Sequence, residues 1–363
     1  MTSKERVIKT VSLEEPDRVP IDCWLSREAE AKLLRSYGFE DREELLQHFN
    51  VDIRTIDGPR YIGPEFERHA DGSVEDLWGV PRIEQQFGRE DKAGIYKEVS
   101  SPPLADAKTV RDIEQYPKWP SPDWFDYSVI EAQCDAHPDK ALLFVGDRLN
   151  RSAQLKPAMY LRGVEQIFID LAMQPELVDA IVERIVDFYL EYNTRVFDAA
   201  NGKLDIFMMG DDFGMQRGLL CSREMWLDHF APGLRKYINL AKRYDLKVAH
   251  HSCGAIVPII HDFIGMGLDI LNPIQPRAAG MVPRAIKAGF GDRIAFHGSI
   301  DIQRTMPLGT PNDVRAEVKD RIDALAPGGG FIICTAHNIQ ADVPLENITA
   351  LFEAYTEYGR YPG

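Results

Sequence analysis

Three stretches of the chain bring together residue types that could do chemistry. "LKVAHHSCGAIVP" (246–258) places His250, His251 and Cys253 within four positions, directly behind an apolar run. Residues two apart on an extended chain face the same way, so His251 and Cys253 can address a single ion. "ICTAHN" (333–338) offers a second pair, Cys334 and His337, behind another apolar run. Thiolate and imidazole are zinc ligands, and a catalytic zinc uses three protein ligands with one position open. Either Cys334 or His337 could complete such a set. "GDDFGMQRG" (210–218) supplies paired carboxylates, Asp211 and Asp212, able to act as base, acceptor or hard-cation ligand. One of the two is expected to be structural, capping a turn or pairing with Arg217. "GLDILNPIQ" (267–275) adds Asn272 and Gln275 as neutral hydrogen-bonding groups that orient a ligand.

These residues need elements to position them. Eight short, mostly apolar segments read as strands covered on both faces: 18–24, 51–56, 141–147, 204–210, 246–251, 268–273, 293–299 and 330–336. Helical periodicity fills most gaps. Leu177, Ile181, Ile185, Phe188, Tyr192 and Val196 form a stripe in a helix that starts at Pro175. Ser222 reads as the N-cap of a helix running to Tyr244, and two further helices carry Val314–Leu325 and Ile348–Tyr355. Strands alternating with helices predict a single α/β domain over 1–363, a (β/α)8 TIM barrel with an N-terminal extension. Residues 57–140 form a long insertion between the second and third strands, read as a lid, with a hairpin at "DGSVEDLWGVPR" (71–82). An open doubly wound sheet is disfavoured, because no Gly-rich phosphate turn follows the first strand.

In a barrel, chemistry gathers at the C-terminal ends of the strands. Those ends carry Cys23 and Trp24, Asp57, Asp147, Asp211 and Asp212, His250, His251 and Cys253, Asn272 and Gln275, His297, and Cys334 and His337. Trp24, Trp78, Phe213 and Trp226 are aromatic residues available to a pocket. A formal charge of −15 argues against nucleic acid or anionic membrane as a partner. No apolar run approaches the ~20 residues of a membrane span, and the five scattered cysteines suggest no disulfide framework, so a cytoplasmic protein is expected. A homodimer is compatible with everything above.

Four stretches together resemble a known superfamily: "ERVIKTVSLEEPDRVPID", "GDDFGMQRGLL", "HHSCGAIVPIIHDFIGMGLDILNPIQ" and "GGGFIICTAHNIQADVPLENI". They resemble the uroporphyrinogen decarboxylases, and within them the corrinoid-dependent methyltransferase branch, which includes methylcobamide:coenzyme M and O-demethylating enzymes. The resemblance implies a (β/α)8 barrel, Zn2+ held by His251 and Cys253, and a third ligand at His337 or Cys334. It also implies a corrinoid (cobalamin) carried by a partner protein, with a small-molecule methyl donor or acceptor such as an aryl methyl ether. Asp211 or Asp212, with Asn272 and Gln275, would orient that substrate. The decarboxylases carry paired arginines after the first strand, where this chain reads "CWLSREAEAK" and keeps only Arg27. A metal-independent decarboxylase or lyase is thus the lesser alternative, beside a thiol-side coenzyme M-type methyltransferase.

Overall fold

The computed structural model describes residues 1–87, 94–146 and 152–361, so Asp147 lies outside the described residues. Twelve strands occur among them, in chain order β1 (Ile53–Thr55), β2 (Arg60–Tyr61), β3 (Val74–Glu75), β4 (Pro81–Phe87), β5 (Gly94–Val99), β6 (Phe125–Asp126), β7 (Ala141–Phe144), β8 (Ile206–Gly210), β9 (Lys247–His251), β10 (Ile270–Asn272), β11 (Ala295–Ile300) and β12 (Phe331–Thr335). Seven of these, β1 and β7 to β12, form one parallel sheet in sequence order. Its strands coincide with seven of the expected segments to within three residues at either end.

The eighth expected strand, 18–24, takes its place without becoming a regular strand. Ile21 bridges Ile333 in parallel, with Asp22 N–H donating to the Ile333 carbonyl and Ile333 N–H to that of Pro20. On its other side the Ile21 carbonyl accepts from Asp52 N–H, one residue before β1. The segment therefore closes the curled sheet between β12 and β1. A longer ladder fails for local reasons. Pro20 has no N–H, Ile21 N–H is taken by the Asp52 carboxylate, and Cys23 N–H by the Asp22 side chain.

Side-chain alternation along the strands separates two cores. Facing inward are Ile53, Ala141, Leu143, Ile206, Met208, Ala249, Ile270, Ala295 and Ile332. Val7 and Val11, from the helix Ser3–Val11, close this inner core, and Trp24 and Val145 pack against it. The opposite parity (Phe207, Val248, Leu271, Phe296, Ile333) packs under the helices. The 26-residue helix Pro175–Ala200 begins at the expected proline. The helix expected from Ser222 to Tyr244 is instead two, Arg223–His229 and Ala231–Lys242. Pro232 is the cause, since its ring cannot continue the ladder of a preceding helix. Within the inserted segment the expected hairpin is present, Val74 pairing with Arg82 and Glu75 with Pro81. Its Trp78 rests against Phe188 and Tyr189 of the long helix, with ring centroids 5.3 and 5.7 Å apart.

Charge holds the closure. Asp52 is fully buried and accepts from Arg6 Nη1 (2.7 Å), Arg18 Nη1 (2.7 Å), Arg18 Nη2 (2.9 Å) and Ile21 N–H (2.8 Å). One carboxylate thus ties the N-terminal helix, the closing segment and β1 together. Removing it takes a carboxylate partner from both arginines, Arg6 itself being buried. Asp52→Ala is expected to cost about 3–5 kcal/mol, read from urea or thermal unfolding, with Asp52→Asn in between. Arg6 also pairs with Asp17, and that hydrogen bond holds the Asp17 carboxyl down to about 2. The pair's stabilisation should be intact at neutral pH and fade as pH falls from about 4, where the unfolded carboxyl titrates, towards 2. Unfolding measured between pH 5 and 2 should show a shallower loss in Asp17→Asn.

Candidate metal centre at the barrel mouth

On β9, Ala249 faces the inner core, and His251, two residues on, shares its direction. His250 points the other way, into an aromatic layer with Phe213 stacked at 5.9 Å and Phe263 at 4.5 Å. His251 is 4 % exposed and directs Nε2 at two groups from the following loops. Cys253 Sγ lies 3.5 Å away and Asp212 Oδ1 also 3.5 Å. The donor atoms of Asp212, His251 and Cys253 all fall within 4.8 Å of one another.

These loops are locked together. Cys253 N–H donates to Asp212 Oδ1 at 3.0 Å, Phe213 N–H to Ser252 Oγ at 3.0 Å, and Ala255 N–H to the Met215 carbonyl at 2.8 Å. Gly254 sits at φ +91°, and a Cβ there would lie 2.4 Å from the Gly214 carbonyl, so a glycine is required at this crossing. Gly254 N–H donates to Gln275 Oε1 at 2.8 Å, which leaves the Gln275 amide group as a donor.

The two aspartates do separate jobs. Asp211 is buried and accepts three backbone N–H groups, from Gln154 (2.5 Å), Leu155 (2.9 Å) and Lys156 (2.8 Å), at the start of the helix Leu155–Arg162. Burial pushes its carboxyl up to about 6 in spite of those bonds. Asp212 also suffers from burial, but His251, Lys156 and the Cys253 amide hold its carboxyl well below the usual range. The cation facing it is Lys156 Nζ at 3.1 Å, rather than Arg217. Burial disfavours the Lys156 charge, and Asp212 outweighs that to keep its pKa raised.

Behind His251 lies a chain of inward side chains on neighbouring strands. His251 Nδ1 is 2.6 Å from Asn272 Oδ1, and Asn272 Nδ2 is 2.8 Å from His297 Nδ1. His297 Nε2 is 3.1 Å from Asp22 Oδ2, a contact that falls off the ideal hydrogen-bond line. Asp22 also receives the Trp24 indole N–H and the Cys23 amide, each at 2.8 Å. Burial opposes the Asp22 charge, yet His297 and these donors hold its pKa low. Cys334 belongs here, in a group with Asp22 and His297 whose atoms also lie within 4.8 Å of one another. Burial drives its thiol well above the normal range. His337, three residues on, instead lines a cavity of about 430 Å3 together with Cys253, Gln275, Arg277, Gln303 and Met215. Its ring centroid is 6.4 Å from that of His251.

The structure thus brings His251, Cys253 and Asp212 to one point, sets Asn272 directly behind His251 and Gln275 against the Gly254 amide, and places Gln275 and His337 on the shared cavity. Asp211 and Cys334 stand apart from it. Asp22, Lys156 and the Arg277–Asp301 pair (Nε to carboxylate) went unread in the sequence. Asp22 had a readable signal, a lone acid at the parity of Trp24 in an apolar segment. Of the four aromatic residues considered, Trp78, Phe213 and Trp226 are fully buried core, and only Trp24 reaches the site, 5.9 Å from His251 and 5.3 Å from His297 between ring centroids.

The donor set suits zinc. A tetrahedral ion with thiolate and imidazole ligands at normal bond lengths holds those donors about 3.6 Å apart, close to the spacing found. The imidazole is also held from behind by an amide oxygen, as metal-bound histidines usually are.

Comparison with known proteins agrees with the architecture. The uroporphyrinogen decarboxylase (URO-D) family profile matches residues 153–358. Uroporphyrinogen decarboxylases of Coxiella burnetii are 22 % identical over 201 residues, covering 52 % of this chain and 49 % of theirs, so the chain spans about half the length of the curated relatives it matches. A solved methyltransferase from Methanosarcina mazei superposes with a TM-score of 0.63 at 17 % identity, covering 99 % of both chains. Among the described residues no helix is long and apolar enough to cross a membrane. With more than half of its length matched by that profile, this chain belongs to the uroporphyrinogen decarboxylase family.

Proposed function

We propose that the protein is a zinc-dependent methyltransferase, moving a methyl group between a small methylated substrate and the cobalt of a corrinoid carried by a partner protein. The observation that carries this reading is the convergence of His251 Nε2, Cys253 Sγ and Asp212 Oδ1 at the mouth of the barrel, beside an open cavity. His251, Cys253 and Asp212 would hold the ion, and His337 stands on the cavity wall as a further donor. When bound, zinc supplies Lewis acidity to the oxygen of a methyl donor or the sulfur of a thiol acceptor. The chain supplies orientation. Asn272 fixes the His251 ring, Gly254 fixes Gln275, and the free amide of Gln275 can hold a substrate oxygen. Trp24 shields the inner side of the site.

The methyltransferase found to share this fold over its whole length supports the same reading, as do the motifs around His251 and Cys253. The decarboxylase alternative finds less support. Arg27, the one basic residue near the first strand end, is exposed at the start of the helix Arg27–Tyr37 and does not line the cavity.

Purified protein should carry close to one zinc per chain by elemental analysis, and Cys253→Ala should lose it. Mixed with cob(I)alamin and a panel of methoxylated aromatics, methylamines and methanol, the wild type should form methylcobalamin with one donor class. His251→Ala and Cys253→Ala should lower that rate at least a hundredfold, beyond the roughly ten- to hundredfold effect usual for residues behind a metal ligand. Wild-type protein that takes up no zinc, or that transfers no methyl group from any donor once loaded with zinc, would sink the reading.

A further inference from the structure

Polar side chains inside a barrel need partners, because an unpaired buried donor or acceptor costs about 1–3 kcal/mol. The inner residues of three adjacent strands, β9 to β11, and of the closing segment on the far side of β12 meet that need by forming one line: Asp22, His297, Asn272, His251. We infer that Asp22 and His297 are positioning residues which, acting through Asn272, fix the nitrogen that His251 presents to Cys253 and Asp212. This inference rests on the reading of His251 as a metal ligand.

Hydrogen-bond direction fixes each member in turn. An ionised carboxylate only accepts, and Asp22 already accepts from the Cys23 amide and the Trp24 indole. A bare lone pair on His297 Nε2 facing it at 3.1 Å would be repelled, so Nε2 carries the proton even though the contact is bent. In the neutral ring His297 Nδ1 then accepts, which turns the Asn272 NH2 towards it at 2.8 Å. The Asn272 oxygen must therefore face His251 and accept its Nδ1–H at 2.6 Å. What remains on His251 is the Nε2 lone pair, aimed at the point shared by Cys253 and Asp212, where a bound cation would cancel the repulsion between that lone pair and the Asp212 carboxylate 3.5 Å away. Every member is buried, so water cannot substitute for a missing link.

Asp22, His297 and Cys334 also cluster closely enough to hold an ion of their own. Two features favour the relay instead. The Asp22 oxygens are occupied by N–H donors, and burial raises the pKa of the Cys334 thiol, which disfavours the thiolate.

The test compares full-length wild type with Asp22→Asn, His297→Leu and His297→Asn. Zinc affinity is read by competition with a chromophoric chelator. The His251 tautomer is read from 15N shifts of metal-free protein at a pH where the ring is neutral. His297→Leu should weaken zinc binding about ten- to a hundredfold and mix the His251 tautomers. His297→Asn, which keeps an acceptor where Nδ1 stood, should recover most of both, and Asp22→Asn should fall between. Folded His297→Leu protein with wild-type affinity and a single tautomer would overturn the inference. So would a second zinc per chain that Cys334→Ser removes. A wild type that binds no zinc would sink the metal reading alone, and the 15N comparison would still decide the relay. If His297→Leu does not fold, His297→Asn and Asp22→Asn decide it: His297→Asn should keep the single tautomer and Asp22→Asn should mix it in part, and a single tautomer in Asp22→Asn, or a tautomer mixed as much in His297→Asn as in Asp22→Asn, overturns it.

Discussion

Closure of the barrel rests on one buried carboxylate. The segment at 20–22 has too few free N–H groups to hold its place by a ladder, and Asp52 supplies the missing constraint through Arg6, Arg18 and the Ile21 amide. The consequence reaches the site directly. Fixing Ile21 with its side chain outward forces Asp22 and Trp24 inward, where they meet His297 and His251. A charge cluster below the sheet thus determines which groups stand behind the candidate metal ligands at its top.

The second organising constraint is the two-residue period of the strands. It divides neighbours with the same chemistry into different worlds. His250 is an aromatic-packed core residue, while His251 belongs to the polar interior. The same parity puts Asn272, His297 and Cys334 on the inner face. Above the strands the loops carry the remaining donors, and the Gly214–Gly254 crossing brings Asp212 and Cys253 to His251.

Much of this was legible in the sequence, and the failures have physical reasons. Apolar runs located seven strands because a strand buried on both faces leaves little else it could be. The run at 18–24 carried the same signal, but its proline and the side-chain capture of its N–H groups kept it from forming a regular strand. Parity distinguished the direction of His251 and Cys253 but not height along the barrel axis, which is set by the stagger between strands. That stagger places Cys334 level with Asp22 and His297, and leaves His337 nearer the opening. Asp211 and Asp212 are adjacent letters, and only the approach of residues 154–156 shows that the first caps a helix. Contacts such as Lys156 with Asp212 join segments 56 positions apart and leave no local pattern.

The central claim is that one thiolate, Cys253, with His251 and Asp212, forms the metal site, and that Cys334 takes no part. X-ray absorption at the zinc edge of the loaded protein counts sulfur ligands directly. The account predicts a single sulfur at about 2.3 Å, with the other ligands nitrogen or oxygen at about 2.0–2.2 Å. Two sulfurs, or none, would contradict it.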